Sequence, residues 1–296
     1  MRILISGSSG FVGRALVDHL KRQGDDVTSL VRREPRGSGR EIRWNPAAGK
    51  LDPAAVSGND VVINLNGHSI AGRWTDKTKA ELRSSRLDAT QTLARAIGHA
   101  ETPPPLFISS SASGFYGDRG DRIVDESSQP GHGFLAELAR DWENAALQAN
   151  SGHTRVVTLR LGMVLGDGGA LRRMLTPFKL GVGGPVGTGD QWWPWVAMSD
   201  VVGAVDHIIG HHDIDGPVNV VAPGAATSRQ FARALGRRIG RPAILPAPAF
   251  ALRLAFGEMA DQLLLASTKV APRVLLETGY AFRSPTLETA FRSILG

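Results

Sequence analysis

The chain predicts an α/β fold, a Rossmann-like doubly wound parallel sheet with helices on both faces and a smaller C-terminal lobe. Three observations carry this: short continuously apolar runs in the first half, stretches of helical spacing between them, and a glycine-rich turn joining the first run to the first helix. Strands buried on both faces read as unbroken Val/Ile/Leu runs, and each return to a parallel neighbour needs a helical crossover. With 296 residues, 42% of them hydrophobic, the chain is long enough to bury such a core and carry an appended lobe.

Residues 2–6 form the first apolar strand, and Val12, Ala15, Leu16 and Leu20 then fall at helical spacing before Gly24, a natural stop. Residues 27–31 give the second strand. Further buried-strand runs lie at 61–65, 106–109 and 156–160, with helical patterns over 77–99 and 134–148 between them. After Gly166 the texture turns glycine-rich and irregular, through Gly168, Gly169, 181–184 and 187–189, with Trp192, Trp193 and Trp195 close behind. A second lobe is expected to begin there. Residues 218–221 read as a strand returning to the main sheet, so the expected division is a domain over 1–165 completed by that strand and a lobe over 166–296.

Composition excludes several classes. The absence of cysteine removes disulfides, thiolate metal sites and cysteine nucleophiles, and fits a reducing compartment, with the cytoplasm as the expected location. Met1 runs straight into strand sequence, leaving no room for an export signal. The apolar stretch 243–266 is interrupted by Arg253, Glu258 and Asp261, so it reads as a core-packing helix and not a membrane span. The net charge of +6 comes from arginines that look scattered, which argues against nucleic acid as a partner.

The turn Gly7-Ser8-Ser9-Gly10-Phe11-Val12-Gly13 sits between a strand and a helix. Glycine there permits a tight turn and lets backbone N–H groups approach a pyrophosphate at the positive end of the helix, so Gly7, Ser9, Gly10, Phe11, Val12 and Gly13 are candidate dinucleotide contacts. At the end of the second strand, where NAD enzymes place a carboxylate for the ribose hydroxyls, stand Arg32 and Arg33. A guanidinium there pairs with a 2′-phosphate, so NADP(H) is expected in preference to NAD(H).

Beyond that turn, ordered segments accumulate: Asn64-Leu65-Asn66-Gly67, Arg73-Trp74-Thr75, Ser84-Ser85-Arg86, the run from Ile108 to Gly117, Trp142-Glu143, Arg160-Leu161-Gly162, Gly168-Gly169-Ala170-Leu171 and Gly279-Tyr280-Ala281-Phe282. Together they resemble, end to end, the atypical extended short-chain dehydrogenase/reductases of the NAD-dependent epimerase/dehydratase type. That group ends in a small domain of unknown function (DUF1731 type), which the resemblance places at about 244–292. Asn66 and Ala197 depart from it, standing where alanine and histidine are expected.

The resemblance extends the cofactor contacts to Leu65, Asn66, Gly67, Ser109 and Arg160. It also exposes a gap. The superfamily's proton carrier is a tyrosine with a lysine four residues on, yet Gly120 and Ser284 follow the only two tyrosines at that spacing. Aligning on Glu143 puts Leu135 and Ala139 at the two positions. Candidates to serve instead are Ser111, just beyond the strand that carries the family's catalytic serine, Tyr116 in the following loop, and Arg86. Arg86 would lower the tyrosine pKa or hold an anion. His68 is a candidate proton donor or cleft lining, and the tryptophan cluster is either a ring-stacking surface or a satellite core. His211-His212-Asp213 reads as a solvated loop, and no metal is expected.

The expectation is therefore an NADP(H)-dependent oxidoreductase or epimerase-like enzyme acting on a small-molecule carbonyl or alcohol substrate. The alternative is a non-catalytic NADP(H)-binding regulator that has lost the tyrosine–lysine pair. No membrane partner is expected, and oligomeric state is not specified by these residues.

Overall fold

The computed structural model describes residues 1–37, 39–150 and 152–296. β1 (Arg2–Ser6) turns into α1 (Phe11–Arg22), followed by β2 (Asp26–Val31), β3 (Glu41–Arg43) and β4 (Val61–Asn64). Then come α2 (Asp76–Gly98), β5 (Leu106–Ala112), the short β6 (Ile123–Val124), α3 (Phe134–Leu147) and β7 (Arg155–Leu161). The chain continues through β8 (Met163–Leu165), α4 (Gly169–Lys179), β9 (Trp192–Trp193), β10 (Trp195–Ala197), α5 (Met198–Gly210) and β11 (Gly216–Val220). It closes with β12 (Ala226–Thr227), α6 (Ser228–Ile239), α7 (Ala249–Phe256), β13 (Lys269–Val270), α8 (Arg273–Glu277) and α9 (Leu287–Leu295).

Seven strands form one sheet in the order β11-β7-β5-β4-β1-β2-β3, and every neighbouring pair is parallel. The apolar runs are strands because alternate side chains leave to opposite faces and both faces are covered. Ile3, Ile5, Ile63 and Val157 pack beneath α1 and α5, while Leu4, Val62, Phe107 and Val156 pack against α2 and α3. From β1 the chain winds outward through β2 and β3, and from β4 it winds the other way. The crevice between β1 and β4 is thus the topological switch point, where open α/β sheets place ligands.

The second lobe has its own core, in which Trp193 stacks edge-on against Phe231 at 5.7 Å and Phe231 against Phe291 at 5.3 Å. Trp193 and Trp195 are both buried there as a satellite core, whereas Trp192 is half-buried, with Lys269 4.2 Å from its ring centroid. The helices bearing this core start at reciprocal caps, Thr227 with Gln230 for α6 and Thr286 with Thr289 for α9.

One expectation fails here. The stretch 243–266 is not a core-packing helix: Pro246 and Pro248 delay it, Gly257 (φ 60°) ends it, and α7 buries none of its residues, with Phe250 and Leu254 exposed. Only Met259 and Ala260, at the following π-helical turn Ala260–Leu264, are buried. No helix among the described residues is long and apolar enough to cross a membrane.

Candidate functional site

Two loops meet at the switch point. Gly7, in the left-handed region at φ 77°, presses against the loop after β4 so closely that a Cβ on it would lie 2.6 Å from the carbonyl oxygen of Leu65. Only glycine combines that conformation with that approach. The helix that follows starts at Gly10 with no side-chain cap, and its first turn has no acidic residue. Its N–H groups and positive dipole end are left for an anion. The glycine-rich start of the second lobe leans on the same loop, since a Cβ on Gly168 would fall 2.8 Å from the Phe11 ring. Phe11 therefore joins the phosphate-type loop to the second lobe.

At the end of β2 the two arginines differ. Arg33 is held by Glu41, its Nη1 donating to Oε2 at 2.8 Å and its Nη2 to Oε1 at 2.5 Å, with a further bond to the Glu34 carbonyl. The Arg33 hydrogen bond, followed by the Arg36 amide, holds the Glu41 carboxyl down at about 2. Arg32 is exposed and has no hydrogen bond or ion pair among the described residues.

Beneath the crevice, on the sheet face toward α2 and α3, the apolar layer gives way to polar rows. Ser6, Asn64, Ser109 and Thr158 share one register across β1, β4, β5 and β7. Asn64 joins them: it accepts from the Ser6 hydroxyl at 2.9 Å and donates to Thr90 at 2.7 Å and to Ser109 at 3.2 Å. It also accepts from the Asn66 side chain at 3.0 Å, which fixes the loop above. On the sequence Asn64 counted only as part of the Asn64-to-Gly67 segment that carries the resemblance, and not as a site residue. Ser109 is wholly buried in this row, so its hydroxyl serves the row and is not open to a cofactor.

Two residues further along, Ser111, Arg160 and Asn219 are register partners on β5, β7 and β11. Ser111 lies within β5, one residue before its end, and donates to Glu143 Oε1 at 2.6 Å. Arg160 grips the same carboxylate with Nε at 2.8 Å and Nη2 at 2.9 Å, and its Nη1 donates to the Tyr116 hydroxyl at 2.9 Å. That hydroxyl donates to Asn219 Oδ1 at 2.7 Å, and the guanidinium lies 3.5 Å from the Phe115 ring centroid. Burial is the largest influence and works against the Arg160 charge, but Glu143 and Tyr116 together outweigh it and leave the pKa raised. Arg160 is thus enclosed and occupied, which corrects the expectation that it contacts a cofactor.

Tyr116 is fully buried, and burial pushes its phenol up to about 12 despite Arg160 beside it. The expected cationic neighbour, Arg86, is elsewhere. It lies over Trp142 at 5.1 Å, donates to the carbonyls of Leu82 and His68 at 3.0 Å each, and is lowered to about 10 by burial alone. Arg86 therefore clamps the loop that carries Gly67 and His68, and His68 itself is exposed on that loop. With its folded-state pKa raised above the ordinary 10.0, Tyr116 contributes stability that is fully present below pH 10 and lost as pH rises through about 12. Tyr116→Phe should flatten that alkaline loss in thermal melts against pH, and should introduce no change near neutrality in any pH–rate profile.

Glu126 completes the buried set. Its Oε1 accepts from the backbone of Asn219 at 3.0 Å and of Val274 at 3.2 Å, tying β11 to α8, and burial raises its pKa.

The model of the NAD dependent epimerase/dehydratase family matches residues 3–221, and that of the domain of unknown function DUF1731 matches residues 247–294. The chain belongs to the NAD dependent epimerase/dehydratase family. It is 40% identical over 290 residues to epimerase family protein Mb2239 of Mycobacterium bovis, covering 97% of this chain and 95% of that one. It is 39% identical over 301 residues to mouse epimerase family protein SDR39U1, covering 100% of both. The crystal structure of human epimerase family protein SDR39U1 (isoform2) with NADPH superposes at a TM-score of 0.91 with 36% identity, covering 99% of each chain.

Among epimerase/dehydratase family features, the DUF1731 segment bears on the positions of the missing pair. Gln262 accepts a hydrogen bond from the Leu135 amide at 3.0 Å and donates to Glu258 at 2.6 Å, and Glu258 pairs with Lys79 of α2. Leu135, Phe134, Trp74, Phe256 and Met259 pack as one apolar cluster, and Ala139 is buried one turn on. The segment thus packs an apolar cluster against Leu135, one of the two positions that the resemblance aligns with the missing pair.

Proposed function

We propose that the protein binds NADP(H) across the crevice and is an oxidoreductase that reduces a small carbonyl substrate. The observation that carries the cofactor reading is the uncommitted guanidinium of Arg32 at the end of β2, with Arg33 held off by Glu41. The NADPH in the human SDR39U1 crystal structure supports it. The uncapped start of α1 would hold the pyrophosphate, Arg32 the 2′-phosphate, and Asn66 and Gly67, braced by Asn64 and Arg86, the wall beside the ribose. The chemistry that NADPH supplies when bound is a hydride for an electrophilic carbon.

The choice of reduction rests on NADPH, a hydride donor, being the cofactor in the human SDR39U1 crystal structure. Oxidising an alcohol, or epimerising through a ketone, needs a base to take the hydroxyl proton. Tyr116 at about 12 and without open surface cannot, and neither can Leu135 or Ala139. Reduction needs the same proton donated back, and water, left as hydroxide, would supply it in place of these residues. Ser111, buried in the same row as Arg160, directs its proton at Glu143 and so braces the end of β5 behind the site as a positioning residue, without touching the substrate itself.

The loss of the tyrosine–lysine pair also favours a second reading, a non-catalytic NADP(H)-binding regulator. Incubation with NADPH and a panel of aldehydes and ketones separates the two. Reduction is expected, with kcat about tenfold lower in Ser111→Ala and NADPH affinity unchanged. Tight NADPH binding with no hydride lost to any carbonyl would instead establish the regulator.

A further inference from the structure

Part of the positive charge that looks scattered in the sequence is gathered at one helix. α6 carries Arg229, Arg233, Arg237 and Arg238 and no carboxylate, and Arg241 follows the Gly240 turn. The opposite face of α6 is buried through Phe231, Ala232, Ala234 and Leu235, so Arg229, Arg233 and Arg237, spaced by four, line up on the solvent side.

Between that row, the turn after α6 and the start of α9 lies a groove of about 760 Å³ lined by Arg233, Arg237 and Arg241, with Pro242, Ile244 and Leu287 as apolar wall. Close backbone approach shapes it: a Cβ on Gly236 would fall 2.7 Å from that of Ala243. Arg229 is turned away to Asp190, and Arg237 meets Glu288, the single carboxylate of the lining, at 3.1 Å. The side chains of Arg233 and Arg241 have no hydrogen bond or ion pair among the described residues, which leaves two positive charges facing the groove uncompensated. None of its lining residues belongs to the crevice or to the buried Ser111 network.

We propose that this groove is a second anion site, which takes a small organic phosphate with an apolar body. Guanidinium groups match phosphate oxygens in pairs, and the volume falls in the range of small-molecule sites. The apolar wall selects against a bare ion. The free charges converge on a cavity of metabolite size instead of extending along a face, which favours a small molecule over nucleic acid.

The test is calorimetric titration with ADP at low ionic strength, on protein already saturated with NADPH so that the crevice is filled. ADP is expected to bind, with affinity at least tenfold weaker in Arg233→Ala/Arg241→Ala, while the NADPH affinity and melting temperature of that variant match wild type. No ADP binding to the wild type, or binding that the double substitution leaves unchanged, overturns the proposal. Failure of NADPH to bind would show as absent heat in the saturation step, and is a separate failure of the crevice reading.

Discussion

Arg32→Ala is expected to weaken NADPH binding by about 10- to 100-fold and to leave NADH binding within about twofold of wild type. Hydrogen bonds to a charged group contribute about 1.5–3 kcal/mol, and each 1.4 kcal/mol is a tenfold change. The effect is confined to NADPH because the 2′-phosphate is the group that only NADPH carries. Arg33 provides the contrast. Both of its terminal nitrogens are engaged by Glu41, so Arg33→Ala should change NADPH affinity by no more than about threefold, as for a screened neighbouring charge. Equal losses from the two substitutions, read by calorimetry, would mean that the Glu41 pair opens to admit the phosphate.

The largest stability effect is expected at Glu143. It is buried, and it neutralises an equally buried Arg160 while accepting the Ser111 proton. Removing one partner of a buried pair strands the other charge and costs about 3–5 kcal/mol. In a chain of this size, with about 2–4 °C per kcal/mol, Glu143→Ala should lower Tm by roughly 10 °C. Replacing both partners by apolar residues, as in Glu143→Leu/Arg160→Met, should recover much of that loss, because the stranded charge goes too. A double variant as unstable as Glu143→Ala would place the cost in the Tyr116 and Ser111 hydrogen bonds and not in the ion pair.

The parallel sheet was legible because its strands are buried on both faces: unbroken runs such as residues 61–64 have few other structural uses. The crevice was legible for a related reason, since a glycine turn between strand and helix is local in sequence. The second lobe was less so, because β8, β9, β10 and β12 are two or three residues long and carry no period. The stretch 243–266 misled because apolar composition alone does not say which side of a helix is covered, and α7 is left on the surface.

The buried network could not be read at all as a network. Glu143 and Arg160 are 17 residues apart, Tyr116 and Arg160 44, and Tyr116 and Asn219 103. On the sequence Tyr116 had a catalytic reading, Arg160 a cofactor one, and Glu143 and Asn219 none, and only the fold, with Arg160 and Asn219 in register on β7 and β11, brings them into one enclosed set. That is why Tyr116 and Arg160, candidates on the sequence, have no surface for a ligand in the structure, whereas Gly7 and Arg32, local to their loops, keep theirs.

A crevice suited to NADP(H) should tell the two nicotinamide cofactors apart. Titrating the purified, cofactor-stripped protein with NADPH and separately with NADH, by calorimetry, tests it most directly. NADPH is expected to bind at least tenfold more tightly, a difference of about 1.4 kcal/mol. NADH binding as tightly as NADPH would contradict the role of Arg32, and binding of neither would contradict the crevice reading as a whole.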